Sequence, residues 1–128
     1  MSGSGILIAE DDAVLREVYA KKFSLAGFTV RTVQDGREAI EEIEREKPRL
    51  LILDLNLPVV DGFGVLQRFR RADRPFPIIV VTNFGDAENR KRATELGADD
   101  FFIKSEMTIK TLAEKVNALI QDGGNTMR

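Results

Sequence analysis

Five short apolar runs, each followed by a stretch of helical periodicity, constrain this chain more than any other feature. The runs are Ile6-Leu7-Ile8-Ala9, Phe28-Thr29-Val30-Arg31-Thr32, Leu50-Leu51-Ile52-Leu53, Pro77-Ile78-Ile79-Val80-Val81 and Asp100-Phe101-Phe102-Ile103. Three of them are almost continuously apolar, which predicts central parallel strands covered on both faces, whereas residues 28–32 alternate as an edge strand does.

Between the runs the period becomes helical. Val14, Val18, Phe23 and Leu25 recur within residues 12–26, ahead of Gly27 as a C-terminal cap. Asp35-Gly36-Arg37-Glu38 is a relative of the capping box and opens a second helix, with Ala39, Ile40 and Ile43 on one stripe and Pro48 to end it. Residues 62–71 carry Phe63, Val65, Leu66 and Phe69; residues 87–96 close at Gly97; residues 108–120 carry Ile109, Leu112, Val116, Leu119 and Ile120. Strict alternation predicts right-handed crossovers and a doubly wound α/β fold, a five-stranded parallel sheet with five helices on its two faces. A chain of 128 residues suffices for one such domain. The expected domain is 6–121, with Met-Ser-Gly-Ser-Gly (1–5) as a linker outside the fold and 122–128 as a flexible tail.

The residue inventory then removes whole classes of chemistry. Neither His nor Cys occurs. Imidazole bases, thiol nucleophiles, disulfides and His- or Cys-based zinc sites are therefore excluded, and the lack of Cys fits the reducing cytoplasm. With 19 Lys and Arg against 21 Asp and Glu, the net charge of -2 gives no electrostatic reason to bind nucleic acid directly. No apolar run approaches the ~20 residues that a membrane-spanning helix needs.

In an open parallel sheet the functional crevice lies at the carboxyl ends of the strands. Here those ends are polar: Glu10-Asp11-Asp12 after the first run, Asp54-Leu55-Asn56 after the third, Thr82-Asn83 after the fourth and Lys104-Ser105 after the fifth. Carboxylates gathered in one crevice repel each other, and a hard divalent cation relieves that repulsion. Glu10, Asp11 and Asp54 could supply oxygens to Mg²⁺, for which Mn²⁺ is an acceptable substitute. With no His, no Cys and no glycine-rich phosphate loop, the remaining nucleophile is a carboxylate, a type that forms acyl-phosphates. A lysine charge and a hydroxyl, as at Lys104 and Thr82, suit the oxygens of a transferring phosphoryl group.

Across residues 6–120 the chain resembles the receiver domain of bacterial response regulators, the chemotaxis-Y-like modules of two-component signalling. The resemblance rests on Glu10-Asp11-Asp12 with Leu15-Arg16 beyond, on Asp54-Leu55-Asn56-Leu57-Pro58 followed by Asp61-Gly62, and on Val81-Thr82, Gly97-Ala98 and Lys104 in order. It implies a flavodoxin-like sheet of order 2-1-3-4-5 and Asp54 as phosphoacceptor. It further implies Mg²⁺ ligation by Asp11, Asp54 and the Asn56 backbone carbonyl, with Glu10 acting through water. Lys104 and Thr82 would bind phosphate, and Thr82 and Phe101 would form the switch. The implied partners are a sensor histidine kinase or phosphotransfer protein as donor, a downstream protein or an output domain as target, and a phosphorylation-dependent dimer. A pseudo-receiver that binds partners without phosphorylation is the alternative.

Three departures from the family pattern follow. Ser105 replaces the usual Pro after the lysine, so a trans Lys104-Ser105 bond is expected. Asn83 is larger than the small residue common there. Phe84 is apolar where some relatives carry an acid or amide that orients water, so slow autodephosphorylation is expected, tuned by Asn56, Asn83 and Phe84. Each site residue also has a structural alternative: Asp12 as a helix N-cap, Asp54 and Asp61 in turn chemistry, Thr82 as a strand former, Lys104 as a surface charge, and Phe101 packed on the last helix. Arg90-Lys91-Arg92 reads as a solvated helix face or a partner surface.

Overall fold

The structure, a computed structural model, describes residues 5–83 and 85–125, with side chains described through residue 120. The element order is β1 (Ile6–Ala9), α1 (Ala13–Leu25), β2 (Val30–Val33), α2 (Gly36–Arg45), β3 (Leu50–Leu53), α3 (Gly62–Arg68), β4 (Ile78–Thr82), α4 (Ala87–Glu95), β5 (Asp100–Ile103) and α5 (Ile109–Asn125). All sheet pairings are parallel and the strand order is β2-β1-β3-β4-β5.

Strand alternation sends successive side chains to opposite faces, and two cores result. Leu7, Ala9, Leu51, Leu53, Ile78, Val80 and Phe101 pack with Ala39 and Ile43 of α2, Phe63, Val65 and Leu66 of α3 and Ala93 of α4. Ile6, Ile8, Leu50, Ile52, Ile79 and Val81 pack with Tyr19 and Phe23 of α1 and Leu112 and Val116 of α5. Because the inner strands need apolar side chains on both faces, their sequences lose alternation.

The helix starts follow their caps. The side chains of Asp12, Asp35, Asp61 and Asp86 accept from the N–H groups of Leu15, Glu38, Gly64 and Asn89. The Glu38 carboxylate reaches back to the N–H of Gln34 at 3.1 Å, one residue before the cap itself. α1 and α4 end in Schellman motifs with Gly27 and Gly97 at positive φ, 99° and 104°.

The Schellman motif corrects the second predicted strand. The Phe28 N–H closes the motif on the Phe23 carbonyl at 3.1 Å, and the two rings meet edge-on at 6.1 Å. Phe28 is thereby committed to the turn, and β2 begins at Val30 and runs on to Val33. The helix predicted over 62–71 ends at Arg68, with a 3-10 turn at Arg71–Asp73, because the buried Arg74 guanidinium captures the Phe69 carbonyl at 2.9 Å. α5 extends past Ile120 to Asn125, so 122–125 of the expected tail are helical backbone: each added residue contributes a hydrogen bond once a helix is nucleated. Gly5, expected in the linker, is buried in the fold. Its carbonyl accepts from the Arg49 N–H at 2.8 Å, and a Cβ there would meet the Thr29 carbonyl oxygen at 2.0 Å. Among the described residues no helix is long and apolar enough to cross a membrane.

Candidate functional site

The carboxyl ends of β1, β3, β4 and β5 bring the predicted site residues together. Glu10 follows β1 and Asp54 follows β3, their parity placing both on the α1/α5 side of the sheet with Lys104 after β5. The Lys104 Nζ donates to Glu10 Oε1 at 2.7 Å and to Asp54 Oδ2 at 2.9 Å. Glu10 is 2% and Asp54 4% exposed, so these charges interact where water screens them little. Burial raises the Glu10 pKa above the ordinary carboxylate value; the Lys104 hydrogen bond opposes this and the Asp54 charge adds to it. Burial works against the charge on Lys104, yet its hydrogen bonds to Glu10 and Asp54 prevail and hold its pKa above the usual lysine value.

Backbone groups hold the acids in place. The Asn56 N–H donates to Asp54 Oδ1 at 3.0 Å, and the Asp12 N–H donates to Glu10 Oε2 at 3.1 Å. The start of α3 lies close under this loop: the Gly62 N–H donates to the Leu55 carbonyl at 2.9 Å, and a Cβ on Gly62 would fall 2.6 Å from the Asp54 carbonyl oxygen. Only glycine permits that approach. Asp12 and Asp61 stand at the edge of the cluster as helix caps.

Glu10, exposed Asp11 and Asp54 each offer a carboxylate oxygen, and these oxygens lie within 4.8 Å of one another. Three hard oxygen donors without nitrogen or sulfur fit Mg²⁺ or Mn²⁺. Thr82 is fully buried at the end of β4. Asn83 is exposed beside it, and Phe84 lies outside the described residues. Lys104-Ser105 is trans, no cis bond occurring among the described residues.

Phe101 is 5% exposed and belongs to the core on the α2–α4 side. Its packing is thus not against α5, which Phe102 faces instead. The Arg90 guanidinium stands over the Phe101 ring at 4.8 Å, and Arg92 over Phe63 at 4.0 Å. The 90–92 segment is therefore not simply a solvated face.

Arg16 and Tyr19 escaped sequence reasoning as supports of the site. Arg16 Nη1 donates to the Glu10 carbonyl at 2.8 Å and ties α1 to the acidic loop. Tyr19 lies buried on the same side of the sheet as Glu10, Asp54 and Lys104, and burial foremost lifts its pKa to about 12. The i+6 spacing of Arg16 from Glu10 was visible in the sequence. Nothing in the sequence marked Tyr19 as more than a core aromatic.

Taken together, a five-stranded parallel sheet of order β2-β1-β3-β4-β5 with helices on both faces, and with an acidic cluster and a partly buried lysine at its carboxyl edge, defines a class of doubly wound, flavodoxin-like domains whose acids could hold a metal ion. Within that class the chain belongs to the response regulator receiver domain family, whose model matches residues 6–117. It is similar to "Probable transcriptional regulator ycf27" of Guillardia theta, 37% identical over 116 residues that cover 91% of this chain and 45% of that protein. It is also similar to the transcriptional regulatory protein PrrA of Mycobacterium tuberculosis, 31% identical over 121 residues, 94% of this chain and 52% of that one. The chain thus spans about half the length of these curated relatives. Among solved structures, the Francisella response regulator 1452 receiver domain matches with TM-score 0.86 and 26% identity, covering 93% of this chain and 98% of that one. The BeF3-activated N-terminal receiver domain of Klebsiella pneumoniae RstA matches with TM-score 0.83 and 28% identity, covering 90% and 97%.

Proposed function

We propose that this receiver domain accepts a phosphoryl group on Asp54 and passes the signal on as a change of surface. The observation that carries this reading is the position of Asp54, buried yet bonded to Lys104 at 2.9 Å and flanked by Glu10 and Asp11. An oxygen of Asp54 attacks phosphorus and forms the acyl-phosphate bond, while the donor's bond to phosphorus breaks and its electron pair leaves with the donor. Lys104 sits where it can meet negative charge on the transferred oxygens, and the Thr82 hydroxyl stands at the neighbouring strand end. Glu10, Asp11, Asp54 and the Asn56 carbonyl would hold Mg²⁺, with Glu10 acting through water. When bound, the ion would neutralise phosphoryl charge and orient oxygens.

The resemblance supports a sensor histidine kinase or phosphotransfer protein as donor, acting in the cytoplasm, with a downstream protein, an output domain or a phosphorylation-dependent dimer as receiver of the signal. That the RstA receiver domain takes a BeF3-activated form supports beryllofluoride as a probe here. Dephosphorylation is slow in this reading, because an apolar Phe84 cannot orient a hydrolytic water; a phospho-Asp54 lifetime of only seconds would refute that. The central test is labelling by a small acyl-phosphate donor. Label should appear with Mg²⁺, disappear with a chelator and be absent from Asp54→Asn; label retained by Asp54→Asn would overturn the assignment.

A further inference from the structure

The Asp35-Gly36 start of α2 does more than open a helix. Gly36 is buried, its N–H donates to the Pro58 carbonyl at 3.3 Å, and a Cβ on it would lie 1.8 Å from the Val60 carbonyl oxygen. The first turn of α2 is thus seated, backbone on backbone, against the loop that follows Asp54. Any side chain at position 36 must push one of the two away. The loop is the softer partner, because α2 is rooted by fully buried Ala39 and Ile43 whereas Pro58 and Val59 are exposed.

What Gly36 touches is a turn of uncommon geometry. The Pro58 carbonyl also accepts from the Val60 N–H at 2.8 Å, closing a γ-turn over Val59, whose φ of 71° gives the turn its rare, strained hand. Such a turn persists only where its surroundings hold it, and Gly36 holds the residues on both sides of Val59. From the turn the chain runs back two residues to Asn56. Leu57 between them is anchored in the core and Pro58 has a fixed φ, so this span has little freedom. At its other end the Asn56 N–H is the backbone donor to Asp54 Oδ1, at 3.0 Å.

We propose that Gly36 is a positioning residue for the acidic cluster: by seating the Pro58–Val60 turn it fixes the span that aims the Asp54 carboxylate. This rests on the reading that Asp54 and its neighbours hold a divalent cation. Mg²⁺ demands near-ideal octahedral oxygens at short range, whereas Ca²⁺ accepts a looser array. A misaimed Asp54 therefore costs Mg²⁺ more than Ca²⁺, a change of preference that a loss of stability alone does not produce.

The test is an NMR titration of the whole chain with Mg²⁺ and, separately, with Ca²⁺, following the Asn56 amide, with circular dichroism to check each fold. In Gly36→Ala the Mg²⁺ affinity should fall about tenfold, the scale on which supports of metal ligands act, and the Ca²⁺ affinity by about threefold or less. Pro58→Gly introduces no clash and frees the same span; it should lower the Mg²⁺-to-Ca²⁺ affinity ratio about threefold, and it carries the test if Gly36→Ala does not fold. The proposal is overturned if that ratio stays within about twofold of wild type in the variants that fold, whether both affinities hold or fall together. A wild-type protein that binds no Mg²⁺ would sink the metal reading and this inference with it; wild-type binding whose preference neither substitution alters sinks the inference alone.

Discussion

Val59 has φ 71°, in the left-handed region, and is 73% exposed in the loop that follows Asp54. A Cβ in that conformation costs about 1–2 kcal/mol, and a β-branched side chain is poorly suited to it. Val59→Gly removes the strain, loses almost no burial and adds back about 0.5 kcal/mol of chain entropy. We expect a net stabilisation of about 0.5–1 kcal/mol, read as a higher urea midpoint at unchanged m-value. A midpoint that stays or falls would show that the loop carries no such strain. Tyr19 offers a second test at this scale, because it is the only tyrosine and Trp is absent, so phenolate absorbance reports one group. Its folded pKa, raised from 10.0 to about 12 chiefly by burial, lies above the unfolded value. Its contribution to stability is therefore complete below pH 10.0 and is lost as pH rises through about 12. The native protein should titrate near the upper value and the urea-unfolded chain near the lower. Coincident curves would contradict the burial.

At the scale of elements, one buried arginine joins segments that the sequence keeps apart. Arg74, its side chain 2% exposed, donates to the carbonyls of Phe69, Phe76 and Gly97 and pairs with Asp99 at 2.7 Å. It binds the end of α3, the approach to β4 and the turn from α4 into β5, all away from the strands' carboxyl ends. Arg74→Ala leaves Asp99 without its buried partner and three carbonyls without a donor, so the loss should be about 3–5 kcal/mol by urea denaturation. Since the acidic cluster lies at the opposite edge, Mg²⁺ affinity in the still-folded fraction should stay at the wild-type value. This arginine also explains why apolar periodicity overran α3: Phe69 continues the stripe, but the helix yields its carbonyl to a contact from outside.

On the scale of the whole molecule, Glu10, Asp11 and Asp54 come together only when β1 and β3 lie side by side, so an ion that binds them binds the folded chain alone. Mg²⁺ at about ten times its Kd should then raise unfolding free energy by about 1.4 kcal/mol, seen as a higher Tm that a chelator reverses. Asp11→Asn should lose most of this gain, and a Tm indifferent to Mg²⁺ would count against the cluster as a metal site. The alternation of β1 to α5 and the acids at the strand ends were legible in the sequence, because apolar period and cap chemistry are local: Asp12, Asp35 and Gly27 act within a few residues. So was the candidacy of Asp54, since a chain without His or Cys keeps few nucleophiles. What only the tertiary structure decided depends on residues far apart in the chain. Lys104 divides its charge between Glu10 and Asp54, Phe101 turns away from α5 to lie beneath Arg90, and Arg74 stops α3 early. Each is settled by which groups the sheet order brings within a few ångströms of one another, and local periodicity carries no record of that.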